Sequence, residues 1–154
     1  MYREESEEQQ KIEDFYLPFG GHLDETNRWV ILSNKIPWDK IESDYAKQFS
    51  STGNGAPAKS IRMALGALII KEKLQISDEE VVAQIKENPY LQYFTGLESY
   101  IEERPFDASL MVHFRKRLNG QIMQKANEIL FREFQEKELK KNRKIRKKLK
   151  NGKS

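Results

Sequence analysis

Between Ile61 and Ile70 the sequence IRMALGALII places apolar side chains on nearly every side of a helix. At about 100° per residue, Ile61, Met63, Ala64, Leu65, Ala67, Leu68, Ile69 and Ile70 leave only a narrow strip for water. A helix of this kind is stable only as the middle of something, so the rest of the chain has to supply elements that cover it. Gly66 inside it costs about 1 kcal/mol of helix propensity relative to alanine, and a close approach by a neighbouring helix offsets that cost.

The covering elements also read as helical. Pro37 can open a helix carrying Trp38, Ile41, Tyr45 and Phe49 at spacings of three and four, and the turn formers of SSTGNGAPA, residues 50–58, end it and lead to a new helix near Pro57. Upstream, Trp29, Val30, Leu32 and Ile36 form a short apolar cluster ahead of Pro37. Ser77 with Glu80 has the spacing of a capping box and starts a short helix whose inner side is Val81, Val82 and Ile85. Pro89 opens another, with Tyr90, Leu91, Tyr93 and Phe94 as core and Gly96 as its stop. No alternating strand pattern of useful length occurs. The expected fold is all-α: a compact multi-helix domain over residues 17–120, an acidic, exposed N-terminal helix over 1–16, and a C-terminal helix over 121–154 that runs into a basic tail.

Residues 104–118, RPFDASLMVHFRKRL, carry the candidate site. Asp107 is a suitable N-cap for a helix over 108–118. Leu110, Met111, Phe114 and Leu118 fall on one side of it; Ser109, Val112, His113 and Lys116 fall on the other, with Arg115 and Arg117 at the borders. An apolar side that docks such a helix on a core holds the opposite side outward on a rigid support, which is the geometry of major-groove recognition. Ser109 and His113 are candidates for base edges, and Arg115, Lys116 and Arg117 for phosphates. An ordinary solvated helix face has the same pattern.

Charge distribution gives a second pointer to a polyanion. The net charge is only +3, but Glu4 to Asp14 is acidic, and Lys137 to Lys153 is basic with Glu138 the one acid. Lys140, Lys141, Arg143, Lys144, Arg146, Lys147 and Lys148 are the tail's candidates for phosphate contact by counterion release; the plain alternative is a solvated helix end. Leu139, Ile145 and Leu149 are too sparse for a coiled coil. Ile122, Met123, Ala126, Ile129, Leu130 and Phe134 make the preceding stretch amphipathic.

Catalysis has little support. The chain has no cysteine, hence no thiolate nucleophile or thiolate metal site. Its two histidines, His22 and His113, follow no metal-ligand spacing. Glu79 with Glu80 and Glu102 with Glu103 read as capping or solvated acids, and no phosphate-binding, nucleophile-elbow or zinc-protease motif is present. No cofactor is expected. The longest apolar or glycine run, MALGALII, is far shorter than the roughly 18 to 20 residues that cross a bilayer. The lack of cysteine fits a reducing cytoplasm.

In order along the chain, RMALGALIIK, LQISDEE, NPYLQYFTGL and FDASLMVHFRKRL make residues 17–120 resemble the N-terminal domain of bacterial insertion-sequence transposases of the DDE type. The resemblance implies an all-helical region, helix-turn-helix-like, that recognises the terminal inverted repeats of a mobile element during transposition, a DNA recombination reaction. It also implies a following ribonuclease-H-like domain with three metal-binding carboxylates. Here the FRKRL helix is followed by a basic tail, and no acid can be matched to that triad. The expectation is a DNA-binding domain that contacts double-stranded DNA and is catalytically inert alone. The alternative is an interaction or oligomerisation module of a regulator, forming a homodimer or docking on a catalytic domain through the Tyr90, Tyr93 and Phe94 cluster or the helix after Gly120.

Overall fold

The computed structural model describes residues 12–43, 60–118 and 120–152. These divide between two compact units, Met1–Leu118 and Asn119–Ser154. In the first, α1 spans Arg28–Lys35, α2 Ile61–Leu74, α3 Asp78–Glu87, α4 Pro89–Phe94 and α5 Leu110–Arg117; the second contains α6, Gly120–Asn151. Residues 38–43 are also helical. The chain is all-α: among the described residues the one extended pairing noted is an isolated parallel bridge between Tyr16 and Ser99.

Helix α2 is the centre of its unit. All ten residues from Ile61 to Ile70 are buried, as the wrap-around apolar pattern requires. Ser60 caps it, its Oγ accepting from Met63 N at 3.1 Å, so the start lies beyond the Pro57 expected from sequence. Its far end is closed by Gln75 in the left-handed conformation at φ 54°. α2 packs on α3 and on α5, α3 on α4, and α4 on α1. A Cβ on Gly66 would stand 3.1 Å from Thr95 Cγ2, so the missing side chain lets the end of α4 approach closely.

Trp29 to Ile36, read from sequence only as an apolar cluster, form helix α1 and its C-cap. Asn27 Oδ1 accepts from Trp29 N at 2.9 Å and caps it. Eight residues are too few for periodicity to stand out, although the cap just ahead of the apolar run was a usable signal. The expected acidic N-terminal helix is described only from Ile12. Residues 1–11 of the expected acidic helix lie outside the described residues; Ile12–Asp14 form a short 3-10 turn, after which Phe15 and Leu17 are buried. Burial of Phe15 against Tyr93, ring centroids 6.0 Å apart, outweighs continuation of a polar helix to Tyr16. Tyr45, Phe49 and the 50–58 turn fall outside the described residues.

Aromatic side chains lock α1 and α4 together. Phe94 meets Trp29 and Trp38 edge-on, at centroid distances of 5.2 and 5.5 Å. Beside them lies a buried arginine that the apolar pattern of α2 does not reveal. Arg62 Nε donates to Phe94 O at 3.1 Å, Nη2 donates to Tyr93 O at 2.9 Å and to Ser33 Oγ at 3.1 Å, and the guanidinium lies over the Trp38 ring. These carbonyls end α4, where intrahelical partners run out; Tyr93 O also accepts from Gly96 N, and Arg62 adds its bonds from within the core. Burial pulls its pKa down, countered by the charge environment of Tyr93, Glu42 and Asp39. Gly96, at φ 90°, leaves room for it: a Cβ there would lie 2.9 Å from Arg62 Cδ. Gln92 is similarly enclosed, exchanging two hydrogen bonds with the Ile101 backbone.

Candidate nucleic-acid interface

The scaffold above holds α5 by one side. Met111, Phe114 and Leu118 are buried, and Phe114 packs edge-on against Phe106, centroids 5.1 Å apart, in the loop that leads into the helix. That loop turns at Asp107. Its Oδ1 accepts from Ser109 N at 3.0 Å and its carbonyl accepts from Leu110 N at 2.9 Å. Its hydrogen bonds with Ser109 lower the Asp107 pKa. The regular helix therefore begins at Leu110, two residues later than expected, because Asp107 supports a single tight turn first. Ser109 sits in that turn, in helical conformation and exposed.

The opposite side of α5 is open. Ser109, Val112, His113, Lys116 and Arg117 are all exposed, with Val112 44% accessible. Ser109, Val112, His113 and Lys116, which the sequence placed on one side, are thus all exposed, as is Arg117 at their border. Three cations in the last turn also complement the negative end of the helix dipole, a stabilising role they have with or without a partner.

Arg115 is placed differently from its neighbours. Its Nη1 and Nη2 donate to the two carboxylate oxygens of Asp78 at 2.9 and 3.0 Å, and Lys71 Nζ reaches the same Oδ1 at 2.7 Å. One carboxylate at the start of α3 thereby ties together α2 and α5. The Arg115 guanidinium, then the Lys71 ammonium, hold the Asp78 carboxyl at a pKa of about 2, and the same contact raises that of Arg115. Both partners are part exposed, so solvent screening limits the pair to about 1 kcal/mol of stability. Its larger consequence is geometric: a two-pronged bond fixes the rotation of α5 on the scaffold while occupying two of the five donors of a guanidinium. Sequence reasoning gave Asp78 no role. No spacing rule joins residues 37 positions apart.

In the second unit, α6 is helical through Asn151, and Lys140, Lys141, Arg143, Lys144, Arg146, Lys147 and Lys148 are all exposed along it. The packing of Ile122, Ala126, Ile129, Leu130 and Phe134 lies outside the described residues.

Of the aromatic cluster in the rival reading, Tyr93 and Phe94 are buried, and Tyr90 is half-buried with its hydroxyl accepting from Asp24 N at 2.9 Å. His22 is exposed in its loop. Among the described residues no group of three or more histidine, cysteine or acidic side chains is placed to hold a metal ion, and no helix is long and apolar enough to cross a membrane.

Residues 18–117 match the family described as Transposase domain (DUF772), and the chain belongs to that family. It is also 38% identical over 92 residues to a Rhizobium meliloti protein named as uncharacterized protein ORF8 in the nfe locus. That similarity takes in 60% of this chain and 44% of the relative, so the chain spans less than half of the relative's length. No solved structure matches it significantly.

Proposed function

We propose that this member of the transposase-domain family is a duplex-DNA-binding module that recognises the ends of a mobile element. Its first unit works as a helix-turn-helix-like reader, with α5 as the helix that enters the groove. The observation that carries the reading is the two-sided character of α5: one side is buried in the core at Met111, Phe114 and Leu118, and the other exposes Ser109, His113, Lys116 and Arg117. Groove recognition needs this combination, because base edges are discriminated only by side chains whose support does not yield.

Roles follow from chemistry and placement. Ser109 and His113 carry short hydrogen-bonding side chains that suit base edges; Lys116 and Arg117 suit phosphates. Arg115, held by Asp78, offers its remaining donors to a phosphate while fixing the pose. The tail cations of α6 add sequence-independent attraction. The module acts without cofactor and does not cut DNA alone.

The test is a salt-resolved titration of the full chain against a duplex bearing a mobile-element end and a scrambled duplex. Changing Lys116 and Arg117 together to alanine should reduce the steepness of log K against log salt by about 1.8, at about 0.9 for each phosphate no longer neutralised. Curves that superpose on the wild type remove α5 from the interface. Incubation of the same protein with supercoiled plasmid and magnesium should leave the plasmid intact.

A further inference from the structure

Residues 138–150 of α6 carry a pattern that phosphate attraction alone does not use. At about 100° per residue, Asn142, Ile145 and Leu149 fall on one narrow stripe. Lys141 and Lys148 border that stripe on one side and Arg146 and Lys150 on the other, with Lys140, Arg143, Lys144 and Lys147 round the back of the helix. All of these residues are exposed, with Ile145 47% and Leu149 64% accessible. A helix kept soluble by lysine has no need of branched apolar residues in register. Glu138, on the same stripe, marks its start, since a carboxylate is repelled by phosphates.

An apolar stripe walled by cations on both sides restricts its occupant. A second copy of the same stripe would set cation against cation along both walls. The occupant has to present two parallel rows of negative charge with apolar and amide-complementary groups between them. The DNA major groove does so: it is about 12 Å wide and admits one helix, its walls are phosphate rows, and thymine methyls and adenine N6 and N7 line its floor. We infer that residues 141–150 of α6 lie in a major groove at A·T pairs, Asn142 pairing with adenine N6 and N7, Ile145 and Leu149 resting on thymine methyls, and the two cationic borders gripping opposite strands. This rests on the proposal that the chain binds duplex DNA, and it turns the tail from a generic anchor into a second reader with a stated base preference.

The experiment uses the full chain and three 20-base-pair duplexes: alternating A·T, the same with 7-deazaadenine for adenine, and the same with uracil for thymine. These substitutions delete the N7 acceptor or the methyl from the major groove and leave the minor groove and phosphates alone. Wild type should bind the 7-deazaadenine duplex about tenfold more weakly and the uracil duplex a few-fold more weakly than the parent. Asn142→Ala, at an exposed site where alanine favours helix, should bind parent and 7-deazaadenine duplexes equally, and Ile145→Ala should bind parent and uracil duplexes equally. Lys141→Ala and Lys148→Ala should weaken all three alike. Binding with equal affinity for all three duplexes overturns the groove placement while leaving DNA binding intact; failure to bind any of them overturns both. Tighter binding to phosphatidylserine vesicles than to duplex, lost in Leu149→Ala, assigns the stripe to a membrane surface instead. Self-association abolished by the same variant assigns it to a second copy.

Discussion

Helix α5 and the distal half of α6 are both basic and exposed, yet they are built in opposite ways. Each cation of α5 stands on a short helix that is buried along one side and tied by Arg115 to Asp78. Those of α6 stand on a helix whose residues from 135 to 150 are all exposed. Position in α5 is set by burial before any partner arrives, so an interaction there can depend on which base is presented. In the proposed reading, attraction by α6 comes from charge density, and whatever selectivity it has must come from side chains such as Asn142. Buried support, more than the number of cations, separates a surface that can discriminate from one that mainly attracts.

The comparison breaks most visibly if the support is removed. Phe114→Ala should cost about 3 to 5 kcal/mol of folding stability, read from denaturant unfolding, because it deletes a buried ring from the contact between α5 and Phe106. The matching change on α6, Leu149→Ala, should leave stability within about 0.5 kcal/mol of wild type, since that side chain is exposed. A comparable loss from both would erase the distinction.

Removing the attracting element comes next. Deletion of residues 137–154 should weaken binding to specific and scrambled duplexes by a similar factor, on the order of 100-fold at low salt, and flatten the salt dependence. The ratio between the two duplexes should change less than either affinity. A collapse of the ratio with little change in affinity would reverse the roles given to α5 and α6.

The Asp78 clamp predicts the smallest effect and the sharpest one. Asp78→Asn should lower stability by about 1 kcal/mol at neutral pH. The folded-state pKa of Asp78 is depressed to about 2 from an ordinary 3.8, so its contribution is present above about 4 and is lost as pH falls through about 2. Wild type should therefore lose stability across that interval more steeply than the asparagine variant. The variant should also lose discrimination between duplexes while keeping overall affinity, because Arg115 is freed but no longer positioned. Parallel acid titrations of the two proteins would show that the clamp is not formed in solution.

Much of this architecture was legible in the sequence. The burial of Ile61 to Ile70, the Ser77 and Pro89 helix starts, and the two sides of α5 all follow from local periodicity and capping, which act within a few residues. The closeness that Gly66 permits was legible in kind, though its partner, Thr95, was not. The unread features join residues beyond the reach of one helical turn: Arg62 with Ser33 and Tyr93, Gln92 with Ile101 nine positions on, and Asp78 with Arg115. In each a polar side chain is matched to groups brought near only by folding. Helix α1 was missed for another reason, being too short for its period to show. At the candidate site, the exposed set was readable and the reason for its fixed pose was not.

The central claim, that the outer side of α5 is a contact surface for duplex DNA, is tested most directly by amide chemical-shift mapping of the full chain as an element-end duplex is added. The account predicts that Ser109, Val112, His113, Lys116 and Arg117 shift together and in proportion to occupancy, while buried α1 and α4 positions such as Leu32 and Phe94 stay still. Saturation of binding with the α5 amides unmoved would contradict it.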